Sequence, residues 1–182
     1  LAIAAFNSGV QKQFFPASSR PELLIDLWLP QGASLKATEA AARKVERILV
    51  DDQEIAKSVK YFASYVGNGS PRFYLPLDQQ LFNDNFAQFV VTTQGIEARE
   101  NLKAHLEKLF VDEAAVASGD FANLRARVLR LENGPPVGFP VQFRVSGADL
   151  PALRKAAEAV AVVMRANSHL KDVNFDWNEM AK

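Results

Sequence analysis

The feature that most constrains this chain is a hydrophobic pattern that passes from strand-like alternation to helical spacing and back, twice in succession. Leu23, Ile25, Leu27 and Leu29 alternate with Glu22, Leu24, Asp26 and Trp28, the period of a strand with two distinct faces. Pro30 ends that strand. Gly32 and Ala33 lead to Ser34, a good helix N-cap, after which Ala37, Ala41, Val45 and Ile48 recur every three or four residues to about Val50. Asp51 and Asp52 form a polar turn, and the aromatic and β-branched residues from Val59 to Val66 predict a second strand. The same unit then repeats. Ala87 to Thr93 is a strand, Gln94 and Gly95 turn it, Ala98, Leu102, Leu106 and Leu109 line a helix, and Leu124 to Leu131 is another strand.

A third copy follows: Val141, Phe143 and Val145 alternate, Asp149 can cap, Leu153, Ala157, Val160 and Met164 make a stripe, and Val173, Phe175 and Trp177 alternate again. Two adjacent β-α-β units predict an α+β fold, a ferredoxin-like split β-α-β sandwich with its helices on one sheet face, followed by half (β-α-β) of a second subdomain. Gly134, Pro135, Pro136, Gly138 and Pro140 crowd the join between them, where proline removes backbone donors and glycine permits unusual dihedrals. The expected boundaries are therefore 21–133 for the first subdomain, 134–140 for the linker and 141–182 for the half-unit.

Composition narrows the function. The 182 residues are 48% hydrophobic and 23% charged, ordinary for a globular chain able to build a core. Twenty-one basic residues balance twenty-one acidic ones, so no net field draws the chain to nucleic acid or an anionic bilayer. The absence of cysteine excludes disulfides, thiolate metal sites and cysteine nucleophiles, and is compatible with cytoplasm and periplasm alike. The N-terminal apolar run, Leu1 to Phe6, is far short of the ~20 residues that cross a bilayer and lacks the basic start and cleavage site of a signal peptide. A soluble chain is expected, and its start at Leu1 rather than at a methionine suits a piece cut from a longer protein.

No catalytic constellation is visible. His105 and His169, the two histidines, belong to no metal-ligating helix pattern, and both read as structural, as does Met164 on its helix stripe. Ser18, Ser19, Ser64 and Ser118 lack a nucleophile-elbow frame. Arg125, Arg127 and Arg130 on one strand read as a solvated or interface face. No metal site and no cofactor are expected. The run Gly67-Asn68-Gly69-Ser70 is turn chemistry rather than a phosphate cradle, because Pro71 follows where a helix N-terminus and a lysine are required.

That run opens the anomalous connection, Gly67 to Asn85, a loop of a length that is usually functional or disordered. Phe73, Tyr74, Leu75, Leu77, Leu81 and Phe82 make it too apolar for disorder, so it should pack across a surface or against a partner. Pro71-Arg72-Phe73-Tyr74 is its sharpest feature. Aromatic rings and a cation beside a glycine-rich turn can sort amphipathic ligands by stacking, dispersion and cation–π contact; the alternative is that the rings simply cover the sheet.

Several runs together carry a family resemblance. Phe14-Phe15-Pro16 followed by Arg20-Pro21-Glu22, Leu27-Trp28-Leu29-Pro30-Gln31-Gly32-Ala33-Ser34, Gly69-Ser70-Pro71-Arg72-Phe73-Tyr74-Leu75-Pro76 and Gly134-Pro135-Pro136-Val137-Gly138 resemble, in order and spacing, the periplasmic porter region of resistance-nodulation-division efflux pumps of the acriflavin-resistance type. The likeness covers nearly the whole chain and is to the second periplasmic stretch, after the seventh transmembrane helix. It implies that residues 1–20 are the end of that helix and a lead-in, that residues 21–133 are the first porter subdomain of this half, and that the segment lies in the periplasm of a bacterial inner-membrane protein. It further implies a homotrimeric, proton-driven antiporter for drugs and other amphipathic organic compounds, with a periplasmic adaptor and an outer-membrane channel as partners. In such pumps the loop after the second strand is a switch between two drug pockets, which implies a switch role for Gly67, Asn68, Gly69, Ser70 and Pro71. The best-known members carry aromatics directly between the loop glycines. Here Asn68 and Ser70 stand there and the rings follow, leaving Tyr65, Arg72, Phe73 and Tyr74 as candidate substrate-binding residues.

Three other readings compete. A heavy-metal exporter of the same superfamily would need soft ligands such as clustered methionines, where this chain has only Met164 and Met180. A free-standing ferredoxin-like module binding a small regulator or a protein should close its own sheet, which the incomplete third unit does not. An enzyme of this fold would need a convergent acid, base or nucleophile.

Overall fold

The computed structural model describes residues 18–111, 121, 124–134 and 138–177. The chain divides into two units, Leu1–Pro136 and Val137–Lys182. In the first, strands β1 (Glu22–Trp28), β2 (Val59–Val66), β3 (Phe86–Thr93) and β4 (Arg125–Arg130) alternate with helices α1 (Leu35–Asp51), the single turn α2 (Gln53–Ala56) and α3 (Ile96–Val111). The sheet order is β2-β3-β1-β4, with every neighbouring pair antiparallel. β1 and β2 therefore run parallel with β3 inserted between them, the split β-α-β arrangement. The fold is α+β and ferredoxin-like.

Local chemistry accounts for the helix starts. Ser34 holds extended backbone and its hydroxyl accepts from the Ala37 N–H, satisfying one of the first-turn donors of α1. The buried stripe of α1 is Thr38, Ala42, Val45 and Leu49: Val45 is buried as expected, while Thr38, Ala42 and Leu49 each stand one residue beyond the expected Ala37, Ala41 and Ile48. Thr38 can be buried because its Oγ1 donates to the Asp84 carbonyl at 2.6 Å, which satisfies the hydroxyl. On α3, Leu102 and Leu106 are fully buried as the spacing predicted.

Both long helices lie on one face of the sheet. Leu23, Ile25 and Leu27 of β1, Ala87, Phe89 and Val91 of β3 and Val128 of β4 meet Val45 and Leu49 of α1 and Leu102 and Leu106 of α3 in one apolar cluster. Burying each large side chain there contributes about 1.5–3 kcal/mol. The opposite face carries the alternate residues, and the long loop rather than a helix covers part of it. Leu77 and Tyr74 pack on Leu24, Val90, Leu129 and Leu131 in a second cluster. Leu75, Leu81 and Phe82 nevertheless stay more than two-thirds exposed. A single layer of chain laid on a sheet has only one inward side, so not every apolar residue of the loop can be covered.

In the second unit helix α4 (Leu150–Arg165) forms as expected, with a proline in its first turn. Asp149 occupies the N-cap position but makes no side-chain capping bond. The strands expected around Val141–Val145 and Val173–Trp177 do not form: among the described residues both stretches lack a ladder. A split β-α-β unit places an intervening strand between its two, and a ladder forms only where such a neighbour is present. Arg154 over Trp177, at 5.6 Å, and Arg165 over Phe175, at 5.9 Å, tie the second stretch to the helix instead. Among the described residues no helix is long and apolar enough to cross a membrane. The end of a transmembrane helix implied at the N-terminus, and Pro135 to Val137 of the expected linker, lie outside the described residues.

Candidate functional site

The face of the sheet away from the helices is where chemistry gathers. Strand parity puts Tyr61, Ala63 and Tyr65 of β2 beside Thr92, Val90 and Gln88 of β3, each pair in register. Pro71 and Phe73 from the loop overhang this strip and enclose with it an open cleft of about 320 Å³. Its lining is four aromatic residues (Tyr61, Phe62, Tyr65 and Phe73), Pro71, the small apolar Ala63 and Val90, and Thr92, with no charged group among them. Such a lining accepts apolar and aromatic surface with little directional demand.

The loop is fastened at its foot. Gly67 has a positive φ of 80°, and a Cβ there would stand 2.7 Å from Leu35 Cδ1; at Gly69 a Cβ would stand 2.9 Å from that of Gln80 and 3.0 Å from its carbonyl oxygen. Glycine is required at Gly67 by its left-handed backbone and at Gly69 by the close approach of Gln80. The Gly67 N–H donates to Phe86 O, the Asn83 N–H to Gly67 O and the Gly69 N–H to Gln80 O, closing the loop on itself. Ser70 is buried, Asn68 and Pro71 are exposed, and the Ser70 N–H donates to Gln88 Oε1 at 2.8 Å.

The structure separates the four candidate binding residues. Tyr65 and Phe73 line the cleft. Tyr74 turns away into the Leu24–Leu77–Leu131 cluster, where its hydroxyl accepts from the Glu132 N–H at 3.4 Å and burial pushes its phenol above the usual range. Arg72 is exposed and reaches back to the Leu77 carbonyl at 3.4 Å, bracing the loop rather than facing the cleft. The cation beside the rings is a different one. Arg20, forked onto the Glu22 carboxylate, sits 5.9 Å from the Phe73 ring centre and 5.6 Å from that of Tyr74.

No protein-family model matches the chain, and no curated protein matches it.

Beneath the loop lies a buried polar group that alternation alone did not flag as chemistry. Asp26 on β1 stands between Gln88 on β3 and Arg127 on β4 in register, and Gln88 Nε2 donates to Asp26 Oδ1 at 2.7 Å. Burial holds the Asp26 carboxyl above the usual range, against the Gln88 bond and the nearby charges of Arg127 and Arg125; Asp78 on the loop adds to the rise. One signal was available: Glu22-Leu23-Leu24-Ile25-Asp26-Leu27-Trp28 is apolar on both faces except at Glu22 and Asp26, the mark of a strand covered on both sides. A carboxyl in such a strand is buried and must be partnered.

The other polar clusters are structural. Arg130 lies on the helix side and pairs with Glu100 of α3, which also takes the Arg99 guanidinium. Arg125 and Arg127 lie on the loop side, so the three arginines of β4 do not form one patch; Arg125 stands over the Trp28 ring at 5.7 Å. Arg99 itself is buried and donates to the carbonyls of Ser18 and Arg20, both at 2.6 Å, which anchors the lead-in to α3. His105 is exposed with a ring nitrogen 3.0 Å from the Asn101 carbonyl, and His169 is exposed. Among the described residues no group of three or more His, Asp or Glu side chains converges as metal ligands.

Proposed function

We propose that this chain is the porter segment, from the second half, of a proton-driven efflux pump of the resistance-nodulation-division type, working in the periplasm on amphipathic organic compounds. The observation that supports this most is the uncharged, ring-lined cleft between β2, β3 and the overhanging loop. A site that must accept many apolar and aromatic molecules gains from dispersion and stacking, which tolerate varied shapes, and loses from fixed ionic partners, which do not. The cleft has the first property. Phe73, 41% exposed, presents a ring at its edge, and Tyr65 forms part of its floor.

In this reading the loop is the movable wall. Its foot at Gly67 and Gly69 is tightly packed, so a shift of the wall carries Pro71 and Phe73 together and changes the width of the cleft. The trimer, the adaptor, the outer-membrane channel and the proton relay belong to the intact pump and are proposed with it.

The test is Phe73→Ala in the intact pump. Loss of ring contact worth about 0.5–1.5 kcal/mol should lower resistance to bulky amphipathic compounds severalfold, with expression unchanged. Unchanged resistance across a chemically varied panel would reduce Phe73 to a packing residue and remove the cleft from transport.

A further inference from the structure

We propose that Gln88 is a positioning residue for the loop wall of the cleft: its amide, oriented by Asp26, holds the Ser70 N–H and so sets where Pro71 and Phe73 stand.

Gln88 is 2% exposed in the middle of a strand whose other residues from Phe86 to Val91 are apolar. A leucine or valine would serve the sheet better, because a buried amide is tolerated only when both of its ends are bonded. Here both are. The two ends are chemically distinct: the nitrogen only donates and the oxygen only accepts. Ser70 offers a backbone N–H, so the oxygen must face it, and the nitrogen must then meet an acceptor. Asp26 Oδ1 supplies that acceptor at 2.7 Å, which leaves one amide orientation that satisfies all three groups.

The other backbone links at the loop's two ends close the loop on itself or tie it to the ends of β1 and β3. The Ser70 link is of another kind, since it enters the middle of the sheet immediately before the wall residues. Ser70 contributes through its main chain: its hydroxyl is buried and makes no hydrogen bond. Gly69, the residue before it, lies so close to Gln80 that a Cβ there would clash. Loss of the Gln88 carbonyl therefore strands a buried N–H, and the wall relieves that cost by lifting into water.

The experiment is amide hydrogen exchange on the full 182-residue chain, with affinity for the neutral fluorophore N-phenyl-1-naphthylamine as a second readout. Exchange tests the latch alone; the fluorophore rests on the reading of the cleft as a ligand site. In the wild type the Ser70 amide should exchange at least roughly a hundredfold slower than an unprotected one. Gln88→Met keeps length and packing but removes both hydrogen bonds. It should speed exchange at Ser70 and through Phe73 by roughly ten- to hundredfold, leave β1 and β3 amides protected, and weaken fluorophore binding. Ser70→Ala keeps the N–H and should leave exchange unchanged. Unaltered exchange in Gln88→Met, or equal loosening in Ser70→Ala, would overturn the proposal. If Gln88→Met does not fold, an unprotected Ser70 amide in the wild type overturns it without a variant. Faster exchange in Gln88→Met while no protein binds the fluorophore would uphold the latch and count against the cleft as a ligand site.

Discussion

The two faces of one sheet are built on opposite terms. Toward the helices, Leu23, Ile25, Leu27, Phe89 and Val91 are fully buried among apolar partners, and two amphipathic helices supply them. Toward the loop, the same strands present Leu24, Asp26, Gln88, Val90, Arg125 and Arg127, covered in part by irregular chain and open elsewhere as the cleft. A helix brings a continuous apolar stripe and satisfies its own backbone, so the face beneath it can be wholly apolar. A loop brings unpaired N–H groups, and the face beneath it must contain side chains that can bond them. The second face accepts polar groups and incomplete cover, and part of it stands open as the cleft.

The largest effect that sharpens this contrast comes from two adjacent residues of β3. Phe89→Ala empties the dry face, where the ring lies 6.2 Å from that of Phe62, and should cost about 3–5 kcal/mol in urea unfolding. Val90→Ala, on the half-covered cleft side, should cost about 1 kcal/mol. Equal losses would mean that the loop packs as tightly as the helices do.

The next separation is in pH. Burial raises the Asp26 pKa, so its ionised form is disfavoured in the folded chain; the stability tied to its protonated form is complete below the ordinary 3.8 and is lost as pH rises through the folded value. Asp26→Asn should therefore unfold at higher urea than the wild type at pH 7, with the advantage vanishing below pH 3.8. A variant less stable at pH 7 would show that the carboxylate's partners outweigh its desolvation.

The smallest effect has the opposite sign. Chiefly through its bond to Arg130, Glu100 is held down to about 2 from the ordinary 4.5, so its contribution is present above 4.5 and fades as pH falls through about 2. Its side chain is 36% exposed, so Glu100→Gln should cost below about 1 kcal/mol at pH 7, measured by thermal unfolding. A gap from the wild type that persisted at pH 2 would locate its role in packing rather than in charge.

Most of the fold was legible because it rests on local periods. The strands, the two long helices of the first unit and α4 fall where alternation and helical spacing place them, and Ser34 caps as its chemistry predicts. On α1 the expected Val45 is buried, but Thr38, Ala42 and Leu49 replace Ala37, Ala41 and Ile48, and Thr38 can be buried because it finds a distant carbonyl, Asp84 O, that no local pattern reveals. The two strands of the second unit were misread for a related reason. Alternation states which side of a strand is apolar, while a ladder also needs a neighbour to bond.

At the site, the sequence alone marked the glycine turn, the rings of the loop and the cation as a class of residue. The fold decided which of them act together. It turned Tyr74 into a core cluster, spent Arg72 on the loop's own backbone, brought Arg20 to the rings in its place, and set Tyr61, Tyr65 and Phe73 around one cleft. Asp26, Gln88 and Ser70 are far apart in the chain, and even the signal at Asp26 names no partner for it. Only sheet register puts the first two side by side, and only the path of the loop delivers the third to them. Periodicity is a property of neighbours along the chain, whereas the partner of a buried polar group is chosen by whatever the tertiary fold places within hydrogen-bond reach.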